Sequence, residues 1–377
     1  MKSFKYLFLL LLFLLLLAPV IKTASAQEKR AAVLVNPVRG SDFWSHNFSQ
    51  LETPKRQYQL IRNNNFPASW LIRYDALING EIQEFLKNLD SSQDIGIFFE
   101  ITPSLARDAG VNYNRSDNWH QAKSVLLTGY SPEDRIKLID TAFNKFKEIF
   151  GKNPKSAGAW WIDAASLAYM KDKYGIEANL DVADQYMTDS YQVWGQYWST
   201  PFYPSKLNAL IPAQSEDQKL GVVTMQWATR DPYNGYGNGV FESTYSVQVN
   251  DYLLHDLGSQ YFEKLLNIYP QTTVGLENDF DYAKFGSEYQ KQLEIVAAQK
   301  NRGILNIFNM AGYAQNYMKS NPGISPNVLI EADDPLGSGG KVIWLNTPKY
   351  RLGWFGSNQG SVIRDLRIYN DRNEEPC

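Results

Sequence analysis

Several short apolar segments of this chain each end on an acidic residue, and this pattern limits the possible folds more than any other feature. The segments end at Asp75, Glu100, Asp163 and Glu277. They are rich in β-branched and aromatic residues, which is typical of buried parallel strands. In α/β barrels the reacting groups lie at the carboxyl ends of the strands. The sequence therefore predicts that several acids surround one pocket.

Strand-like and helix-like segments alternate along most of the chain. Strands are predicted at 31–35, 68–74, 94–101, 157–162, 178–182, 222–227, 272–276 and 303–308. Helices are predicted at 77–89, 132–150, 166–174, 261–268 and 288–299, and 102–128 is predicted to be a long polar loop. Strands that alternate with helices form a parallel sheet with right-handed crossovers, and this number of repeats favours closure. We therefore predict an α/β fold, a distorted (β/α)7–8 barrel over residues 27–320.

Three boundaries in this pattern are predicted at specific residues. The first strand is expected to end at Asn36-Pro37. The helix at 132–150 is expected to have Ser131 as N-cap, with Pro132 at its first position and Gly151 at its end. Its buried face is predicted from apolar residues spaced by three and four: Ile136, Ile139, Phe143, Phe146 and Phe150.

The two ends of the chain differ from the barrel. Residues 321–377 alternate strand-like segments with Gly- and Pro-rich turns, which predicts an antiparallel β segment that packs on the barrel or opens a further domain. Residues 1–26 are expected to be a signal peptide, because two lysines precede an apolar stretch that ends at Ala24-Ser25-Ala26. An uncleaved membrane anchor is the alternative. Either way we expect a secreted or cell-envelope protein.

Charge and cysteine content exclude some classes of function. The net charge of −3 gives no basic field for nucleic acid. The only cysteine is Cys377, so no internal disulfide is possible. Nucleophilic catalysis by serine or cysteine is disfavoured, because the chain has no G-x-S-x-G motif and no cysteine before Cys377.

The strand-end acids suit glycoside hydrolysis, which needs one carboxyl group to donate a proton and another to attack or to activate water. Glu277 is the first candidate, and Asp163 is the second because preceding tryptophans would desolvate it and raise its pKa. Glu100, Asp75 and Asp231 are further catalytic candidates. Each acid also has a structural alternative: Asp163 could cap the next helix, and Asp231 could pair with its neighbouring arginine.

Aromatic and amide residues in loops predict a sugar-binding cleft, because sugar rings stack on aromatic planes and amides bind hydroxyls. Loop anchoring is the structural alternative for each of these residues. The candidate substrate-binding residues are Trp160, Trp161, Gln185, Trp194, Trp198, Tyr203, Trp227, Tyr233, Tyr236 and Asp279.

Residues 100–174 resemble the glycoside hydrolase/deacetylase barrel superfamily, especially its polysaccharide deacetylase branch. An acid-ended strand is followed by a loop and a helix, then by Phe150-Gly151-Lys152-Asn153-Pro154 and by the strand and loop Gly158-Ala159-Trp160-Trp161-Ile162-Asp163. The resemblance implies a β/α barrel that acts on carbohydrate.

The sequence departs from that family at the metal site. The deacetylases carry paired aspartates on an early strand and an H-x-x-x-H-type motif after the next one, whereas this chain has Tyr74-Asp75-Ala76 and Glu100-Ile101-Thr102-Pro103-Ser104. Its three histidines are His46, His120 and His255, without metal-ligand spacing. The superfamily also contains metal-free hydrolases that use carboxylates alone, and the acids of this chain suit them better.

We therefore expect an exported hydrolase that cleaves glycosidic bonds in a polysaccharide with paired carboxylates and without metal or cofactor. One alternative is a metal-dependent polysaccharide deacetylase that combines His120 or His46 with the strand-end acids. A second alternative is a non-catalytic glycan-binding or cell-envelope protein on a degenerate barrel.

Overall fold

Eight parallel strands form the main sheet of the protein. The computed structural model describes residues 29–116, 121–182, 200–235 and 244–375. The strands are β1 (Arg30–Val38), β2 (Ser69–Arg73), β3 (Asp94–Phe98), β4 (Ser156–Gly158), β5 (Ala178–Val182), β6 (Val223–Trp227), β7 (Gln271–Val274) and β8 (Leu305–Phe308). Their order is β6-β5-β4-β3-β2-β1-β7, and β8 pairs with β1. The sheet is a nearly closed barrel, so the predicted distorted barrel is confirmed.

Helices connect the strands and cover the outside of the barrel. They are α1 (Glu52–Asn63), α2 (Tyr74–Leu77), α3 (Gly80–Lys87), α4 (Pro103–Asp108), α5 (Ala122–Val125), α6 (Pro132–Phe150), α7 (Ala164–Tyr174), α8 (Val249–Leu253), α9 (Ser259–Ile268), α10 (Tyr282–Asn301) and α11 (Met310–Ser320). The segment predicted as one long polar loop at 102–128 contains α4 and α5, so that prediction was wrong in part. No helix among the described residues is long and apolar enough to span a bilayer.

The core has two layers because successive residues of a strand face opposite sides of the sheet. In β1, Val33 and Val35 belong to the cluster inside the barrel. Ala32 and Leu34 belong to the cluster between the barrel and its helices. Both sides of the strand are therefore buried, which explains its uninterrupted apolar sequence.

Helix α6 has the predicted boundaries. The Ser131 hydroxyl accepts a hydrogen bond from the Asp134 backbone N–H at 3.2 Å, and Gly151 ends the helix with φ of 72°. Its buried face differs in part from the prediction, because Ile136 is 42% exposed and Phe150 is half-buried, whereas Leu138 and Ala142 are buried.

Strand β1 extends further than predicted, and this extension matters for the site. Its first half, Arg30–Val33, pairs with β8, and its second half, from Val35 to Val38, pairs with β2. The expected end at Asn36-Pro37 was therefore wrong. Because the strand continues to Val38, Arg39 lies at its carboxyl end.

A second sheet follows the barrel, as predicted. It is antiparallel, with β9 (Val328–Asp333), β10 (Lys341–Asn346), β11 (Tyr350–Ser357) and β12 (Gly360–Ile368) in the order β12-β11-β10-β9. Its core contains Ile330, Val342, Trp344 and Phe355, together with Tyr269 from the segment before β7. The Trp344 indole N–H donates to the Pro232 carbonyl at 2.9 Å, so this core is fixed to the loop after β6.

Candidate active site

Charged side chains from four adjacent strands meet at one end of the barrel. Arg39 follows β1, Arg73 is the last residue of β2, Glu100 follows β3 and Glu277 follows β7. These strands are neighbours in the order β3-β2-β1-β7 and run parallel, so their carboxyl ends lie side by side. Each of the four residues is at most 7% exposed.

Arg39 lies at the centre of this group. Its Nε and Nη2 donate to the two carboxylate oxygens of Glu100 at 2.8 and 2.6 Å, a bidentate geometry. Its Nη1 donates to Glu277 Oε2 and, at 2.7 Å, to Asp279 Oδ1. One guanidinium therefore joins the ends of β1, β3 and β7.

Glu100 is held by a second arginine and by a tryptophan. Arg73 donates to Glu100 Oε2 at 3.0 Å and makes a bidentate pair with Asp75, with both distances 2.8 Å. The Trp160 indole N–H donates to Glu100 Oε1 at 2.9 Å. Burial alone would raise the pKa of Glu100, but Arg39 and Arg73 stabilise the carboxylate and lower the pKa to about 2. Glu100 is thus a fixed anion.

Glu277 has the opposite pKa shift. Burial raises its pKa most, Arg39 opposes this effect, and the negative charges of Asp279 and Glu100 add to it, so the pKa is raised to about 7. Its second oxygen accepts from the Gln248 side chain at 3.0 Å. Asp279 is closer to solvent, with 24% of its side chain exposed. The site therefore combines one ionised carboxylate with one that gains or loses a proton near neutral pH.

Two predicted catalytic acids lie in other environments. Asp163 caps α7, with Oδ1 accepting from the Ser166 N–H at 2.9 Å, and pairs with Arg135 at 3.3 Å. Asp231 is buried, which raises its pKa, and accepts from the Tyr261 hydroxyl at 2.8 Å. It also accepts from the backbone N–H groups of Tyr233 and Asn234, so it organises the loop after β6. Of the five predicted acids, the hydrogen-bond network joins Glu277, Glu100 and Asp75.

The predicted sugar-binding residues are also divided among several environments. Trp160 belongs to the site, with its ring centre 5.7 Å from the guanidinium carbon of Arg39, and Trp161 is half-buried nearby in sequence. Trp227 is buried at the end of β6. Tyr233 packs against Phe355 of the second sheet, with ring centres 5.7 Å apart.

Tyr203 is only 2% exposed and donates its hydroxyl to the Asn321 carbonyl at 2.7 Å, contacts that fix a loop. Gln185, Trp194, Trp198 and Tyr236 lie outside the described residues. The cleft predicted from these side chains therefore stays a prediction.

The two arginines and Gln248 were not predicted as site residues. The available signal was a basic residue at a strand end, in the same position as the acids. Arg73 immediately precedes Tyr74-Asp75, and Arg39 follows the true end of β1. Arg39 was not recognised as a strand-end residue because the strand was expected to end at Asn36-Pro37.

The described residues do not provide a site that fits a metal ion. They contain no group of three or more His, Cys, Asp or Glu side chains arranged to hold one. The oxygens of Glu100 and Asp75 already accept bidentate hydrogen bonds from guanidinium groups. His46 stacks on Phe48 and His255 on Tyr245, whereas His120 lies outside the described residues.

Comparison with known proteins identifies the family. Residues 93–307 match a family described as a domain of unknown function with a solved structure (DUF3863). No curated protein sequence matches the chain significantly.

The chain is also similar to several solved structures. One is a protein from Parabacteroides distasonis, provisionally described as a glycoside hydrolase/deacetylase, with a TM-score of 0.69 and 14% identity over 92% of this chain and 87% of that one. Another, from Mycobacterium smegmatis and provisionally described as a polysaccharide deacetylase, has a TM-score of 0.49 and 10% identity over 81% of this chain and 96% of that one. The chain therefore belongs to the DUF3863 family, and its barrel fold is similar to that of the Parabacteroides distasonis protein.

Proposed function

We propose that this protein is a carbohydrate-active hydrolase in which Glu277 transfers the proton. The observation that supports this proposal most strongly is the environment of Glu277: a buried carboxyl group with a pKa raised to about 7, next to the partly exposed Asp279. A group with a pKa near the working pH is best suited to proton transfer. Glu100 is a poor candidate for this role because four N–H groups hold its two oxygens.

Hydrolysis of a glycosidic bond is the reaction that this geometry supports best. Protonated Glu277 gives its proton to the leaving oxygen while the carboxylate of Asp279 attacks the anomeric carbon. Water then attacks that carbon, Glu277 takes the proton from the water, and Asp279 is released. The nearest oxygens of Glu277 and Asp279 share the Arg39 Nη1 donor, so they lie no more than about 5 Å apart and can both reach one glycosidic bond.

Deacetylation of a polysaccharide is the second candidate, and the fold similarity favours it. The similar protein from Parabacteroides distasonis is described by both activities. In this reaction ionised Glu277 takes a proton from water, which adds to the acetyl carbonyl carbon. The bond from that carbon to the sugar nitrogen or oxygen then breaks, the leaving atom takes the proton from Glu277, and acetate is released.

The proposal also includes the substrate of the protein and its location in or outside the cell. A poly- or oligosaccharide is the proposed partner. The predicted signal peptide makes export, with secretion or association with the cell envelope, part of the proposal.

The test is to incubate the purified protein with a panel of acetylated and non-acetylated polysaccharides and to measure both reducing ends and free acetate. We expect Glu277→Gln to lower turnover at least about 100-fold, because it removes the group that transfers the proton. Glu331→Gln, at an exposed position in β9, is the matched control and should keep full activity.

The pH dependence separates the two reactions. If Glu277 donates the proton first, the rate should fall as pH rises through about 7 and reducing ends should appear. If Glu277 acts as the base, the rate should fall as pH drops below about 7 and acetate should appear. Full activity of Glu277→Gln would contradict both mechanisms, and glycan binding without either product would favour the non-catalytic alternative.

A further inference from the structure

We propose that Arg39 is the positioning residue of this site and supplies the positive charge that a metal ion would otherwise supply. Together with Arg73 it keeps Glu100 ionised, so that the proton held by this group of acids lies on Glu277. This inference deepens the proposed function and rests on it for its catalytic meaning. It concerns the charge state of the site, however, and can be tested without a substrate.

The charge balance of the network favours protonation of one of its acids. Two guanidinium groups, which stay protonated in proteins, face four acids: Asp75, Glu100, Glu277 and Asp279. With all four acids ionised the buried network would carry two excess negative charges. Burying uncompensated charge is costly, so a proton on one acid lowers the free energy.

The hydrogen bonds select which acid carries that proton. Glu100 accepts from Arg39, Arg73 and Trp160, and Asp75 accepts from Arg73 and from the Asp42 backbone N–H at 2.7 Å. The donors to Glu100 favour its ionised form and lower its pKa. Asp279 is less buried, with 24% of its side chain exposed. Glu277 is buried next to two negative charges, so the proton is best held there.

The surroundings of Arg39 make it a permanent cation. Its guanidinium carbon lies 5.9 Å from the ring centre of Phe98 and 5.7 Å from that of Trp160, so aromatic rings flank it. The pKa of Arg39 is raised well above its ordinary value, because the attraction of Asp279, Glu100 and Glu277 outweighs burial, which lowers it. A covalently attached cation of this kind cannot be removed by a chelator.

Arg39 therefore acts on the reaction through Glu277 and Asp279. It is bonded to both through one nitrogen, so it fixes their mutual position and partly neutralises both. In a metal-dependent site the positive charge comes from the ion. Here the carboxylates that could ligate an ion accept hydrogen bonds from arginine side chains instead.

The test is to follow the Glu277 carboxyl group directly by carbon-13 NMR on protein labelled at its glutamate and aspartate carboxyl carbons, with Glu277→Gln used to assign the signal. We expect the midpoint of its titration to lie near neutral pH and to be unchanged by EDTA or by added zinc. Asp279→Asn should move the midpoint to lower pH by about one pH unit, because it removes a neighbouring negative charge. Its side chain is partly exposed, so this variant should fold.

Arg39→Lys gives the second comparison. A single ammonium cannot reproduce the bidentate pair with Glu100 and also reach Glu277, so the midpoint should move to higher pH. Glu331→Gln should leave the midpoint unchanged.

The outcomes separate this inference from the proposed function. An ordinary acidic midpoint for Glu277, no response to Asp279→Asn, or a shift caused by zinc would each overturn the inference. If the titration behaves as expected but no polysaccharide is hydrolysed, the arginine-centred charge network stands and the proposed function is wrong.

Discussion

At the scale of single residues, neighbours rather than residue type decide what an acid does. Glu100 and Glu277 both follow buried strands and both contact Arg39. Glu100 has a second arginine, which keeps its pKa at about 2, whereas Glu277 has negative neighbours, which raise its pKa to about 7. The first is suited to holding the two arginines in place, and the second is suited to exchanging a proton.

This difference predicts a stability effect at Glu100. Glu100→Gln leaves the charges of Arg39 and Arg73 partly uncompensated in a buried site, which should lower the free energy of unfolding by about 3–5 kcal/mol. Urea unfolding followed by tryptophan fluorescence measures this change. Glu331→Gln at an exposed position should change it by less than about 0.5 kcal/mol. Equal effects of the two substitutions would show that the Glu100 ion pairs contribute little to stability.

At the scale of secondary structure elements, an acid that follows a strand either points into the site or caps the helix that begins after it. Asp163 follows β4, as Glu100 follows β3, but it is also the residue before α7, and its carboxylate caps that helix. The backbone N–H groups at the start of a helix need an acceptor, and Asp is among the best. Glu277 precedes no helix directly, since α10 begins at Tyr282, and its carboxylate is bonded to the site instead.

The cap explains how Asp163 should respond to substitution. Asn is as good an N-cap as Asp, so Asp163→Asn should keep stability within about 1 kcal/mol and keep activity. Asp163→Ala should lower the free energy of unfolding by about 1–2 kcal/mol, because α7 loses its cap. Denaturant unfolding and the hydrolysis assay check both variants. Loss of turnover in a stable Asp163→Asn protein would instead support the catalytic role predicted from the sequence.

At the scale of the whole molecule, hydrogen bonds and a buried tryptophan hold the second sheet against the barrel. Asn234, next to the loop-organising Asp231, donates to Asp334 at 2.6 Å, and Lys264 of α9 donates to the Pro335 carbonyl at 2.6 Å. Trp344 is fully buried between the sheet and the loop after β6. These contacts join the sheet to the segments around β6 and β7, and β7 carries Glu277 at its end.

We therefore expect the barrel and the second sheet to unfold together. Trp344→Ala should lower the free energy of unfolding by about 3–5 kcal/mol while the protein keeps a single transition. Leu329→Ala in the same sheet, at a side chain that is 62% exposed, should have little effect. Differential scanning calorimetry distinguishes one transition from two. Two separate transitions would mean that the contacts between the sheet and the barrel are weak.

The barrel, the boundaries of α6 and the antiparallel sheet could be predicted from the sequence alone, because apolar periodicity and capping residues are local properties of the chain. It also identified Glu277, Glu100 and Asp75 as acids at strand ends. Which of these acids meet is visible only in the folded protein, because their hydrogen bonding depends on strand order and register. Strand β1 pairs with β2 as far as Val38, and this places Arg39 between Glu100 and Glu277. Asp163, in contrast, caps the start of α7.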